Sequence, residues 1–337
     1  MTFSGLGKSA KNEVIPMRKT FFLSCIFLLA LTGCSGGVQT PTVTPDRESF
    51  IPLEHEKITP ENDLYPPQSF SNEFSEPVPL PYPVNTRGAE DSAFVMPDGN
   101  TLYVWFTPDC LKPVEEQAFD GVTGIYAFHK MDDTWGPAER VVLQDPGKAV
   151  LDGCEFVLEN RIWFCSAREG FTGMQWFIAD FIDGKWQNWK QANFNPDYEI
   201  GELHITANGK EMYFHSARQG GLGGYDIWLS RNVDGEWQEP ENISVVNSPD
   251  TDGWPFISPD GDELWFTRII GAPELWRSIK INGKWTSPKK MFANFAGEAS
   301  MDIEGNLYFT HHFYKDSVML EADIYTAHRI NQQNEDG

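Results

Sequence analysis

Short apolar runs alternate with turn-forming residues along most of this 337-residue chain. The clearest stretch, Gly221 to Phe266, contains apolar runs separated by the turns Asp234–Gly235 and Pro259–Gly261. Short apolar runs bounded by Gly, Pro, Asp and Asn are typical of β-strands joined by tight turns. The stretch therefore predicts four short strands.

The same unit recurs along the chain. A polar turn followed by tryptophan occurs at Trp135, Trp186, Trp237 and Trp285, with spacings of 51, 51 and 48 residues. A strand ending in an aromatic pair occurs five times, as Trp105–Phe106, Trp163–Phe164, Tyr213–Phe214, Trp265–Phe266 and Tyr308–Phe309. A period near 50 residues with four strands per unit is typical of a β-propeller. The sequence predicts an all-β, five-bladed propeller of four-stranded blades over residues 72–330.

The segment before the first repeat predicts how the ring closes. Glu76 to Thr86 resembles Glu239 to Ser248, which leads from one predicted blade into the next. The fifth unit ends after Tyr325–Ala327 without a turn-and-tryptophan strand of its own. We therefore expect the N-terminal segment to supply the missing outer strand of the last blade, which would leave no open sheet edge.

Two stretches also carry a family resemblance. SPDGDELWFTR, which ends at Arg268, and ARQGGLGGYDIWLSR, which ends at Arg231, resemble the PD40 repeat, also called the WD40-like or TolB-like propeller repeat. The resemblance spans roughly Glu76 to Arg329, and Leu158–Arg161 departs from it by replacing the Pro-Asp-Gly turn. It implies a propeller fold and a binding role, without indicating a ligand.

The N-terminus has the pattern of a bacterial lipoprotein signal. Basic residues after Met17 precede an apolar run from Phe21 to Leu31, and Cys34 follows directly after Thr32–Gly33. The run is too short to span a bilayer stably. Residues 1–33 are predicted to be the signal, with Met17 as an alternative start and Cys34 as the lipidated residue. The other interpretations are an ordinary signal peptide or a poor transmembrane anchor.

Composition indicates where the protein resides. Ser35 follows the cysteine, which in the sorting rule of enterobacterial lipoproteins implies the outer membrane. Residues 34–71 are rich in Pro, Thr, Ser and charge, which predicts a flexible tether, and residues 331–337 are predicted to be a disordered tail. A net charge of −23 argues against nucleic acid as a partner, and its simplest role is solubility.

Three cysteines fall within the predicted propeller. Cys154 and Cys165 lie on neighbouring strands of one predicted hairpin, and Cys110 lies at the same end of the adjacent blade. An oxidising periplasm would permit one disulfide, either Cys154–Cys165 or Cys110–Cys154. Because the chain has no CxxC motif and no suitably spaced histidines, we predict no metal site, and no cofactor is expected.

Acidic residues recur near the start of each predicted inner strand, where one mouth of the central channel would lie. They are Asp91, Asp152, Glu202, Asp252 and Glu298. The loops on the same face carry Arg168, Arg218 and Arg268, with His311 and His312 in the fifth unit. This arrangement predicts either structural salt bridges or a polar ligand site. For the ligand site the predicted binding residues are Glu202, Asp252, Trp254, Arg218 and Arg268.

Two function classes follow. The first is a non-catalytic binding module with an envelope protein or glycan as partner, because no motif combines a nucleophile with a base. The second is a glycoside hydrolase, because family 43 five-bladed propellers place carboxylates on their first three blades. Asp91, Asp152 or Glu155, and Glu202 hold loosely similar positions. Since every unit carries an acid there, repetition alone explains the second pattern equally well.

Overall fold

Antiparallel β-strands dominate residues 46–145 and 147–330, which are the residues described by the computed structural model. A 3₁₀-helix (Arg47–Phe50) and two short strands, β1 (Gln68–Ser69) and β2 (Val78–Pro79), precede the repeats. The predicted signal, Cys34 and the predicted tail lie outside the described residues. None of the described helices is long and apolar enough to cross a membrane.

Within the described residues, the remaining strands form four hydrogen-bonded sheets, the largest of which combines the first and last repeats through one parallel pairing between Ala89 and Ala322. Following the sequence repeats, we divide these strands into five successive groups, each antiparallel within itself. Group one comprises β3 (Ala89–Val95), β4 (Thr101–Thr107), β5 (Gly124–Met131), β6 (Thr134–Trp135) and β7 (Glu139–Arg140), with the helix α1 (Val114–Gln117) between β4 and β5. Group two comprises β8 (Val150–Leu158), β9 (Arg161–Arg168), β10 (Gln175–Ile182) and β11 (Lys185–Gln191).

The other three groups repeat this order. A 3₁₀-helix (Pro196–Tyr198) leads into group three, which comprises β12 (Leu203–Ile205), β13 (Glu211–Ser216), β14 (Asp226–Val233), β15 (Glu236–Trp237) and β16 (Glu241–Asn242). Group four comprises β17 (Thr251–Ile257), β18 (Glu263–Ile270), β19 (Ala272–Ile281), β20 (Lys284–Trp285) and β21 (Lys289–Ala293). Group five comprises β22 (Ala296–Met301), β23 (Leu307–Lys315) and β24 (Val318–Ala327). The prediction of an all-β propeller is confirmed, whereas the number of five blades stays a prediction.

The ring closes through the N-terminal segment, as predicted. Val78 and Pro79 of β2 pair with Thr326 and Tyr325 of β24, so β2 is the outer strand of group five. Beyond β2, the amide of Asn85 accepts a hydrogen bond from the Ile324 N–H and donates one to the Ile324 carbonyl, both at 2.9 Å.

The junction between groups three and four contains the same contact. There the Asn247 amide bonds the N–H and carbonyl of Ile227 at 2.7 and 2.9 Å. Each asparagine thus satisfies backbone groups of a third strand just where its outer strand ends. The similarity between the two sequence segments therefore reflects one shared hydrogen-bonding role.

The core lies between the groups, where the second strands are covered on both faces. One position of these strands is fully buried in every group, and it is occupied by Val104, Phe164, Phe214, Phe266 and Phe309. In group one the predicted aromatic pair is displaced, because Phe94 pairs with Tyr103 whereas its counterpart Phe256 pairs with Trp265. Trp105–Phe106 therefore lies two residues further along its strand than the pairs in the other groups. The sequence pattern selected this later pair because two aromatic residues, Trp105 and Phe106, follow the buried Val104 in β4.

The tether prediction is wrong for residues 46–71, which pack on the propeller. Arg47 is buried, donates hydrogen bonds to the carbonyls of Pro83 and Val84, and lies 3.2 Å from the Glu90 carboxylate. β1 pairs with β21 at the edge of group four. Composition suggested a coil because this segment has few apolar residues, but charged side chains hold it in place.

Two further residues of this segment, Lys57 and Asp63, contact buried polar side chains of group five. Lys57 contacts the buried carboxylates of Glu321 and Asp323, and Asp63 contacts the buried imidazole of His311 at 2.8 Å. The N-terminal segment therefore supplies charged partners to groups five and one, where the ring closes.

Replacement of Arg47 tests this role. Burial raises the pKa of Glu90 and Arg47 opposes that shift, so Arg47→Met leaves a buried carboxylate without its partner. We expect the free energy of unfolding to fall by about 3–5 kcal/mol in urea denaturation. Adding Glu90→Gln should recover part of the loss.

Arg231→Met is the matched control, since Arg231 forms ion pairs at the surface with Glu211 and Glu241. Exposed pairs contribute at most about 1 kcal/mol. Equal losses for Arg47→Met and Arg231→Met would contradict the structural role of the N-terminal segment.

Candidate functional site: the central cavity

The inner strands surround a central cavity, to which each group contributes three consecutive residues. The lining residues are 92–94, 154–156, 202–204, 254–256 and 298–300. The cavity offers about 50 Å³ to the centres of water-sized molecules. A single water needs about 10–15 Å³ on this measure, so the space suits a few waters or an ion and is too small for a sugar ring.

A bulge in four of the five inner strands aims side chains into this cavity. The pairing of β3, β8, β17 and β22 with their neighbours slips at one point, and the residue there has a positive φ of 53–54°. These residues are Ser92, Cys154, Trp254 and Glu298. Glu202 holds the corresponding place in the cavity lining, because its neighbour His204 pairs with Tyr213 as Phe256 pairs with Trp265.

The bulges divide the five predicted acids into three positions. Glu298 lies at the bulge and Glu202 at the equivalent position of group three, whereas Asp91 lies one residue before the bulge. Asp152 and Asp252 lie two residues before it, and neither lines the cavity. The prediction of one ring of equivalent acids is therefore wrong, since each one-residue offset in a strand reverses the direction of the side chain.

Asp152 and Asp252 form buried ion pairs. Asp152 accepts from Arg168 at 2.8 Å and from the Ser166 hydroxyl at 2.6 Å. Asp252 accepts from Arg268 at 2.6 Å. Both arginines also lie over aromatic rings, Arg168 over Trp189 and Arg268 over Trp276. These contacts match the salt-bridge interpretation of the acids.

Arg218 differs because its group has no acid at the matching position, which is Ile200. It pairs with the exposed Glu239 at 2.8 Å and lies over Trp228. Of the five predicted binding residues, the structure thus brings Glu202 and Trp254 together in the cavity, where their side chains hydrogen-bond. It places Asp252, Arg268 and Arg218 elsewhere.

The charges at the cavity come mainly from carboxyl groups. Burial raises the pKa of Glu155 and of Glu202 to about 8, and nearby Asp91 adds to both shifts. Burial also raises the pKa of Glu298, whose Oε2 accepts from the Ser92 hydroxyl at 2.5 Å.

A single histidine balances this charge in part. His312 Nε2 lies 3.4 Å from Asp91 Oδ1. Against the effect of burial, the carboxylates of Asp91 and Glu298 raise the pKa of His312 to about 9. Likewise, against burial, His312 holds the pKa of Asp91 below its usual range.

Sequence reasoning did not identify this grouping. Glu155 entered only as a substitute for Asp152, and Ser92 was not considered. Cys154 and Cys165 form a disulfide with Cα atoms 5.5 Å apart, and Cys110 is free. In the predicted hydrolase set, Asp152 is held by Arg168 outside the cavity, whereas its alternative, Glu155, lines the cavity with Glu202. The feature that marks these positions is a bulge residue with positive φ. Because the bulge residues are not glycine, they cannot be recognised in the sequence.

Comparison with known proteins finds only distant structural likenesses. No family model matches the sequence, and no curated protein matches it, so the PD40 resemblance stays a prediction. TolB from Acinetobacter baumannii aligns with 11% identity and a TM-score of 0.39, over 72% of this chain and 55% of that one.

Two other solved structures align over more of their own length. A Dyadobacter fermentans protein of unknown function shows 12% identity and a TM-score of 0.44, over 78% of this chain and 98% of that one. The catalytic domain of a GH62 α-L-arabinofuranosidase from Coprinopsis cinerea shows 11% identity and a TM-score of 0.47, over 78% of this chain and 98% of that one. At these values the likeness does not extend to function.

A buried histidine behind the cavity gives a pH prediction. His215 Nδ1 accepts the backbone N–H of Trp254 at 3.1 Å, and burial lowers its pKa to about 3. The unfolded state takes up a proton below about pH 6.5, whereas the folded state does not. Stability from this residue is therefore complete above pH 6.5 and falls towards pH 3, by about 1.4 kcal/mol per pH unit.

His215→Thr should remove this slope. Thr267 and Thr310 accept the N–H groups of the next bulges in the same way, so threonine preserves the hydrogen bond. Urea denaturation from pH 7 to pH 4 measures the slope, with the exposed His129→Thr as control. Parallel curves for wild type and His215→Thr would refute the prediction.

Proposed function

We propose that this protein is a non-catalytic binding propeller of the bacterial cell envelope, anchored by a lipid on Cys34. Its partner is an envelope protein or a glycan. The acidic net charge of −23 disfavours nucleic acid as the ligand. The repeat resemblance and the signal-like N-terminus support this proposal.

One observation carries the non-catalytic part. The acids at the inner-strand starts are divided between buried ion pairs and a cavity of about 50 Å³. A carboxylate held by arginine does not act as a general acid, and a sugar ring does not fit beside the others. A macromolecular partner would therefore bind on the outside, where Arg218 reaches the surface through its pair with Glu239.

One observation favours the alternative, a glycoside hydrolase. The pKa of Glu202 is raised to about 8 by burial, whereas that of Asp91 is held low by His312 against burial. Two carboxyl groups shifted in opposite directions are typical of an acid and base pair. This chemistry would require the cavity to open far enough for a sugar.

Replacement of Glu202 separates the two functions. We expect wild type and Glu202→Gln to show the same background rate on a panel of aryl glycosides, because no turnover is present to lose. Glu236→Gln, which changes an exposed acid, is the control. A measurable wild-type rate that Glu202→Gln lowers by orders of magnitude, with Glu236→Gln unaffected, would establish the hydrolase instead.

The lipid anchor has its own test. Cys34→Ala should block lipidation and release the protein from the membrane fraction, because a protein without the acyl chains loses its hydrophobic attachment. Fractionation and labelling with a fatty-acid analogue measure the change. Continued membrane association with unchanged processing of the variant would contradict the anchor without bearing on the binding role.

A further inference from the structure

Three potential metal ligands converge beside the central cavity, and one of them, Glu298, lines it. A carboxylate oxygen of Asp91, a carboxylate oxygen of Glu298 and a ring nitrogen of His312 all lie within 4.8 Å of one another. Asp91 and His312 are buried. These residues come from groups one and five, which meet where the ring closes.

A fourth group points to a missing ligand. Glu155 lines the same cavity, is 6% exposed, and has no hydrogen-bond partner for either carboxylate oxygen among the described residues. A buried carboxyl group without partners is destabilising, and a cation bound beside it would supply the missing partner. No lysine or arginine lines this cavity in the described part of the chain.

His312 is also oriented as metal-bound histidines are. Its Nδ1 lies 3.3 Å from the carbonyl oxygen of Phe295, an acceptor, so Nδ1 carries the hydrogen. The other nitrogen, Nε2, faces Asp91, and a cation bound there would replace the proton that Nε2 otherwise carries. Metal-binding histidines usually donate their second ring N–H to a carbonyl or carboxylate, which fixes the ring.

The donor atoms indicate the class of cation. Asp91, Glu155 and Glu298 offer carboxylate oxygens and His312 one nitrogen, with Glu202 also lining the cavity. Calcium takes six to eight oxygen ligands in flexible geometry, whereas zinc prefers four ligands rich in sulfur and nitrogen. The cavity also has room for the waters that would complete the coordination.

We propose that the central cavity binds a hard divalent cation of the calcium class through Asp91, Glu155, Glu298 and His312. The sequence predicted no metal because these ligands are separated along the chain and meet only in the folded ring. The proposal is independent of the binding partner and of the lipid anchor.

Metal content and thermal unfolding of the full-length protein test the site. After treatment with a chelator and dialysis, we expect Ca²⁺ to raise Tm by roughly 5–10 °C at a concentration far above its Kd. One equivalent should be retained by elemental analysis. The same measurements are made with Mn²⁺ and with Zn²⁺.

Glu155→Gln and Glu298→Gln should lose most of the Ca²⁺ shift, since each removes a negative ligand with little change in volume. Glu159→Gln is the matched control, because Glu159 is exposed in the turn that follows the same strand. If a ligand variant fails to fold, the measurements of Tm and metal content on the wild-type protein still test the proposal. No Ca²⁺ shift in wild type, an equal shift in Glu155→Gln, or a response to Zn²⁺ alone would each overturn the proposal.

Discussion

A carboxylate buried at the start of an inner strand requires a cation beside it, and much of the structure depends on that requirement. Groups two and four meet it internally through Asp152–Arg168 and Asp252–Arg268. Group one carries Glu90 but has Phe106 opposite it, so Arg47 of the N-terminal segment reaches in instead. The chain before the first repeat therefore belongs to the propeller, because its charges complete groups that the repeat leaves unpaired.

The sequence predicted the ring and its closure because both depend on features that repeat. The turn-and-tryptophan period fixed the unit, and the likeness between the segments ending at Asn85 and Asn247 located the closing strand. In the structure both asparagines bond an isoleucine backbone in the same way. Residues 46–71 do not repeat and contain few apolar residues, so nothing in the pattern separated a packed segment from a coil. Their attachment depends on ion pairs with residues elsewhere in the chain, and the partner Asp323 of Lys57 is 266 residues away.

The candidate site was only partly predictable, because its geometry depends on one residue of register. Asp91 and Asp152 look alike as acids near strand starts, yet Asp91 adjoins the bulge and Asp152 lies one residue further from it. That single step directs one towards His312 and the other towards Arg168. Non-glycine bulge residues with positive φ, such as Trp254, leave no signature in a single sequence. Repetition thus identified the residue types and strand ends but could not assign side chains to the cavity or the core.

Buried acids have different partners in the two parts of the ring, arginine between the groups and histidine beside the cavity. Where an acid faces the space between groups, arginine lies beside it and aromatic rings cover the pair. At the cavity, carboxyl groups from several strands converge, and the charged His312 lies beside Asp91. Asp91 belongs to the first group, and Glu298 and His312 belong to the last. A cation bound there would join the two ends of the repeat array at the centre, while β2 joins them at the rim through hydrogen bonds to β24. The first and last groups would then be joined in two places, by backbone hydrogen bonds at the rim and by a bound cation at the centre.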